Sequence, residues 1–174
     1  MKIVVNDTNI FIDLYECGLL GDFFKLPYTF HTVDLVLNEL KNKEQRSAVD
    51  IYVNAGILFC KNNSPEELSE IVKYMFEFGE SGNLSLTDCS VLFYAKTLGN
   101  AKFLTGDRAL RQRSEKEGLD VSGILFVFDE LVRIGIINET IAAQKLELLK
   151  LKNKRLPKTE IEERIKIWRM NEVE

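Results

Sequence analysis

Four acids in this chain of 174 residues stand where carboxylates could act together: Asp7, Glu39, Asp88 and Asp107. Asp7 follows the β-branched run Ile3-Val4-Val5, and Asp107 follows the run from Ala101 to Gly106. Apolar runs this short, without polar alternation, suit strands covered on both faces, as in a parallel sheet between helices, and ligands collect where such strands end. Two parallel strands deliver their acids to one sheet edge. The other two acids belong to helical segments. Val91, Leu92 and Ala95 stand three, four and seven positions after Asp88, which aligns its carboxylate with a buried stripe, and an acid directed toward a core needs a partner. Glu39 lies beside the stripe Val33, Val36, Leu37 and Leu40. Each acid also has a plain structural role open to it: Asp7 and Asp107 as helix caps, Asp88 as the far end of a Ser85-x-x-Asp88 capping box, Glu39 as a surface charge.

Carboxylates brought together raise one another's pKa unless cations hold them. With no histidine or cysteine beside them, an all-oxygen set favours Mg²⁺ or Mn²⁺ over zinc. Such an ion lowers the pKa of a bound water and neutralises charge on a phosphoryl transition state. Asn9 and Thr105 lie two positions from Asp7 and Asp107 and are placed to orient a water or a carboxylate. Arg108 and Arg111 are candidates for substrate phosphate, with a solvated helix face as the competing role.

The elements that must carry these residues alternate. After the first strand, Ile10, Phe11 and Leu14 predict a short helix, and Thr29-Phe30-His31 a short strand. A helix from about Val33, capped by Thr32 or Asp34, precedes a strand over Gly56 to Cys60. Ser64-Pro65-Glu66-Glu67 opens another helix, with proline at its first position, which Gly79-Glu80-Ser81-Gly82-Asn83 breaks. A helix from Leu86–Asp88 to Leu98, the strand Ala101 to Thr105, and a helix bearing Arg108, Arg111, Arg113 and Lys116 follow. Asp120 to Leu125 reads as a last strand leading into a helix closed by Gly135, and two helices, about 139–151 and 157–170, end the chain. Alternation of this kind predicts an α/β fold, a three-layer α/β/α sandwich around a mainly parallel sheet.

Hydrophobic residues make up 45% and charged residues 29% of the chain, an ordinary soluble balance without a run long enough to span a bilayer. The length fits one domain over residues 1–174, with 138–174 as a helical extension packed on it. An acid at position 7 stands where a signal peptide would continue its apolar region, so a cytoplasmic location is expected. Cys17, Cys60 and Cys89 are odd in number and far apart, which signals neither a disulfide framework nor a zinc knuckle. His31, the only histidine, is expected to be structural. The net charge of −4 argues against a protein held to nucleic acid by overall charge, yet residues from Gln144 onward carry nine Lys and Arg against six Asp and Glu, a local +3 that leaves −7 on residues 1–143.

Asp7-Thr8-Asn9, Glu39 in Leu37-Asn38-Glu39-Leu40, Leu86-Thr87-Asp88 before a helix ending at Gly99, and Leu104-Thr105-Gly106-Asp107 together resemble the PIN-domain nucleases, especially toxin ribonucleases of VapC type. The resemblance covers roughly residues 1–135 and rests on the order and spacing of the acids. It implies Mg²⁺- or Mn²⁺-dependent cleavage of RNA, with Asp7, Glu39, Asp88 and Asp107 as the metal-binding quartet and Asn9 and Thr105 in support. It also implies frequent homodimerisation and, in toxin members, a partner antitoxin. Glu80 in Gly79-Glu80 is a rival for the third acid. The C-terminal segment goes beyond a minimal toxin. Two other readings compete: another Mg²⁺-dependent phosphohydrolase, which would want a second Asp where Asn9 stands, and a non-catalytic PIN-like module that binds RNA or protein.

Overall fold

The computed structural model describes residues 2–82 and 84–170, without the side chains of residues 78–82. In chain order the elements are β1 (Lys2–Asn6), α1 (Thr8–Glu16), α2 (Leu20–Phe23), β2 (Tyr28–Val33), α3 (Asp34–Glu39), α4 (Lys43–Asn54), β3 (Leu58–Lys61), α5 (Pro65–Gly82), α6 (Leu86–Thr97), β4 (Ala101–Leu104), α7 (Arg108–Lys116), β5 (Asp120–Ser122), α8 (Ile124–Arg133), α9 (Glu139–Lys152) and α10 (Lys158–Met170). The fold is α/β. Its five strands pair in the order β3-β2-β1-β4-β5, every pair parallel.

That order places the site. From β1 the chain builds outward through β2 to β3, then crosses back to add β4 and β5 on the other side of β1. The crevice between the ends of β1 and β4 is therefore the topological switch point, where helices leave in opposite directions and ligands have access. The register Val5↔Phe103 and Asn6↔Leu104 brings both strands to that crevice level with each other.

Helices cover both faces, and the pleat assigns side chains to each. In β2, Phe30 packs on Phe23 of α2 with ring centroids 4.7 Å apart, while the next residue, His31, faces α6, its Nδ1 2.8 Å from the Tyr94 hydroxyl. Burial holds the His31 pKa below its usual value, and the ring also stacks on Phe59. This is a structural histidine. One layer groups α1 with α4, α8 and α9, the other α6 with α5 and α7. The helices α9 and α10 pack on each other, and Ala142, Leu146, Leu149, Ile161 and Trp168 join the same core as the strands. Cys17 and Cys89 are buried free thiols, and Cys60 is half-buried. Among the described residues no helix is long and apolar enough to cross a membrane.

Several boundaries differ from expectation. The helix α4 over Lys43–Asn54 was not predicted: only Val49 of its twelve residues is fully buried, and its apolar stripe, Ala48, Val49, Tyr52 and Val53, begins only midway along it. Residues Val33 and Leu40 of the expected stripe flank a helix of six residues: Val33 closes β2 and caps α3 without a side-chain bond, and Leu40 follows its end. The third strand starts at Leu58 rather than Gly56, since Gly56 turns the chain with φ +69°. The helix α5 continues through Gly79 to Gly82 instead of breaking there. The last strand stops at Ser122, and Gly123 caps α8, so Ile124 and Leu125 are helical core residues.

Candidate active site

Asp7 leaves β1 as the N-cap of α1, its side chain accepting from the Thr8 amide at 2.7 Å. Its backbone N–H donates to Leu104 O at 3.0 Å, which continues the β1–β4 pairing one residue past the strand and brings Thr105 alongside. The second carboxylate oxygen accepts from the Thr105 hydroxyl and from the Asn9 amide, both at 2.8 Å. Asn9 reaches across in turn: its Oδ1 accepts from the Gly106 amide at 2.7 Å. A Cβ at position 106 would lie 3.1 Å from that oxygen, so glycine permits the close approach.

Both supporting residues predicted from sequence thus belong to the Asp7 carboxylate. Thr105, placed by its spacing to orient a water or a carboxylate, also accepts from the Asp107 amide at 3.0 Å. It therefore ties the two strand-end acids into one network. Asp107 caps α7, accepting from Leu110 N at 2.8 Å, and its side chain is exposed. Asp88 closes the Ser85 capping box, with Ser85 N donating to its Oδ2 at 2.8 Å. Three of the four acids carry out the capping roles open to them, and the carboxylate of Asp88 interacts electrostatically with those of the other two.

The sequence reading did not single out Thr8. Its buried hydroxyl donates to Glu39 Oε2 at 2.8 Å, so α1 orients the acid that α3 presents. The signal available was its place between Asp7 and Asn9 in one tight turn. Glu39 itself is exposed.

Asp7 is only 3% exposed. Burial pushes its pKa up to about 7, and the charges of Asp88 and Glu39 add to the rise, while the Thr105 hydroxyl and the Thr8 amide oppose it. Asp88 is raised as well, first by burial and then by Asp107 and Glu39, against the Ser85 hydrogen bonds. Asp88 therefore lies within electrostatic reach of the other three acids, and Asp7 within reach of Glu39 as well. No group of three or more His, Cys, Asp or Glu among the described residues is already gathered closely enough to hold an ion. The side chain of Glu80, the rival third acid, lies outside the described residues. Asn6 Oδ1, one residue before Asp7, is buried and has no hydrogen-bond partner, the one such side-chain atom found among the described residues. An all-oxygen set of carboxylates, with no nitrogen or sulfur donor in it, fits a hard divalent cation.

The two arginines differ. Arg108 is exposed and forms no ion pair among the described residues, which leaves it available to a phosphate. Arg111 donates to Thr105 O at 3.3 Å and lies 3.8 Å from Glu115, so it buttresses the strand end that holds Asp7.

A family model, DUF3368, described as "PIN domain", matches residues 3–170. Comparison with curated proteins gives no match. Among solved structures, a PilT N-terminus domain protein of the hyperthermophilic archaeon Sulfolobus solfataricus P2 is similar, with 13% identity, 72% of this chain and 89% of that one covered, and a TM-score of 0.38.

Proposed function

The chain belongs to the PIN-domain family, whose members are generally metal-dependent nucleases, and from that premise we propose that it is a Mg²⁺- or Mn²⁺-dependent endoribonuclease acting through Asp7, Glu39, Asp88 and Asp107. The observation that carries the reading is Asp7: a buried carboxylate, raised to about 7, within reach of the charges of Asp88 and Glu39, with three donors and no basic side chain bonded to it among the described residues. Burying such a group without a counter-charge costs free energy, and a cation bound beside it would offset that cost. When bound, a divalent ion supplies a water of lowered pKa and neutralises charge on the scissile phosphate. The residues of the chain do the rest. Thr105 and Asn9 fix the Asp7 carboxylate, Thr8 aims Glu39, and Asp88 and Asp107 approach the crevice from the starts of α6 and α7. Arg108 is available to a phosphate flanking the cleaved bond.

The test is cleavage of mixed RNA with Mn²⁺, with Mg²⁺ or with EDTA, by the wild type and by Asp7→Asn. Divalent-dependent cleavage that the substitution abolishes is the expected result; equal activity in the variant would sink the assignment. In its narrower form the proposal makes the chain the toxin of a toxin–antitoxin pair in the cytoplasm, for which co-purification of a small partner from native extract is the measurement. A second reading, a PIN-like module that binds RNA or protein without cleaving it, has one observation in its favour: the acids do not already form an ion-holding group among the described residues. RNA binding without cleavage under every metal condition would select it.

A further inference from the structure

The pair α9–α10 presents a groove that the proposed nuclease chemistry does not use. Its volume is about 1000 Å³. Its apolar surface comes from Ile165 with Leu151 and Met170, the last two 68% and 62% exposed. Both acids at its rim are already paired, Glu162 with Lys150 and Glu147 with Arg169, each at 2.6 Å. Lys154, Lys158 and Lys166 line the same groove, exposed and without a carboxylate within 4 Å among the described residues. An aliphatic floor bordered by three ammonium groups that form no close ion pair among the described residues, Lys158 acting on Glu162 only from farther off, is an unusual thing to leave in water, and its charge is opposite to that of residues 1–143.

We infer that this groove is a docking site for an acidic amphipathic helix of a separate protein. Helix-in-groove recognition needs a concave apolar floor for residues spaced three and four apart, and here the complementary rim must be anionic. A single-stranded nucleic acid would need aromatic side chains on which bases stack, and none is among the described residues that line the groove. A membrane surface would be met by a convex apolar ridge rather than a recess. The site lies away from the acids: Asn153, between α9 and α10, donates to Asp13, which is six residues from Asp7 on the far part of α1, roughly 9 Å along the helix. Occupancy of the groove is thus compatible with an open crevice at the switch point.

The experiment uses the whole chain and two synthetic helical peptides of 14 residues, the length of α9. Both repeat leucine three and four residues apart; one carries glutamates beside the leucine stripe, the other lysines. Fluorescence anisotropy is expected to show the glutamate peptide binding roughly tenfold more tightly than the lysine peptide, with the difference shrinking as salt is added. Reversing the rim with Lys154→Glu, Lys158→Glu and Lys166→Glu together is expected to exchange the preference, and Leu151→Asn to weaken the glutamate peptide by roughly fivefold. All four positions are exposed, so an unchanged circular dichroism spectrum verifies the fold. Failure of both peptides to bind, equal binding of the two, or indifference to the substitutions would each overturn the proposal. So would binding to phosphatidylserine vesicles, or self-association in sedimentation velocity, that the charge reversal abolishes while leaving peptide binding intact.

Discussion

The two ends of α1 each bury a carboxylate, and they use it differently. Asp7 is 3% exposed and Asp13 is 4% exposed. Burial raises both, to about 7 and about 6. At the Asp13 end the surroundings are closed: Asn153 donates to both carboxylate oxygens at 2.9 and 3.2 Å, and the neighbouring acid Glu16 is held by Lys152 at 2.6 Å and by Gln45 at 3.0 Å. That end ties α1 to the end of α9. At the Asp7 end the nearby acids Asp88 and Glu39 have no basic partner within hydrogen-bond or ion-pair distance among the described residues, and the site opens to solvent at exposed Gly106 and Asp107. A buried acid is therefore not a site by itself. The charge left uncompensated around it distinguishes a site from a fastening.

The largest expected contrast between the two ends is in activity. Asp7→Asn should lower RNA cleavage by roughly a thousandfold or more, whereas Asp13→Asn should leave it within about twofold. Equal losses in initial-rate assays would erase the distinction. Divalent ions come next. Mg²⁺ or Mn²⁺ at about a hundred times its dissociation constant should stabilise the wild type and Asp13→Asn by about 2.7 kcal/mol, seen as a rise in melting temperature, and should leave Asp7→Asn unmoved.

The pH dependence separates the ends without any assay of function. A carboxyl raised in the folded state binds its proton more tightly there than in the unfolded chain. Its contribution is fully present below the unfolded pKa, near 3.8, and is lost as pH rises through the folded value. Urea unfolding of the metal-free protein should therefore show stability falling between about pH 4 and 7. Asp13→Asn should remove the part lost up to about pH 6, worth up to roughly 3 kcal/mol, and Asp7→Asn the part lost up to about pH 7, worth up to roughly 4 kcal/mol. Curves that coincide with wild type for both variants would show that neither group titrates as the geometry requires.

Smaller effects sharpen the same comparison. Thr105→Val removes the hydroxyl shared by Asp7 and the Asp107 amide, and should cost about 1–3 kcal/mol together with activity. Asn153→Ala strips Asp13 of its donor for a similar cost in stability and none in rate. Ser85→Ala, which opens the capping box at Asp88, should cost about 1 kcal/mol.

Much of the site was legible because its residues sit at element junctions that short apolar runs mark well. Val4-Val5 and Phe103-Leu104 are buried strands, and their sequels Asp7, Asn9, Thr105 and Asp107 form the hydrogen-bonded network read from spacing. Thr8 was missed because a threonine between two candidate residues carries no pattern of its own; its importance depends on Glu39, thirty-one residues away in sequence. The helix α4 was missed because its stripe is short: beyond the cap at Asn42 it rests on buried Val49 and on the partly buried Ala48, Tyr52 and Val53, which begin only midway along the helix. Gly123 looked like the interior of a strand because the apolar residues after it, Ile124 and Leu125, suit a strand or a helix equally over so short a stretch.

The order of residues by itself determined the alternation of strands and helices, the acids at the ends of β1 and β4, and the all-oxygen chemistry they can support. Local propensity and burial period are short-range properties, and a single chain displays them in full. Only the tertiary structure decided that β1 and β4 are neighbours in register, that Thr105 serves Asp7, that Thr8 aims Glu39, and that Asp13 is fastened while Asp7 is not. Those outcomes depend on which surfaces meet across long separations in sequence, and that is set by how the whole core packs.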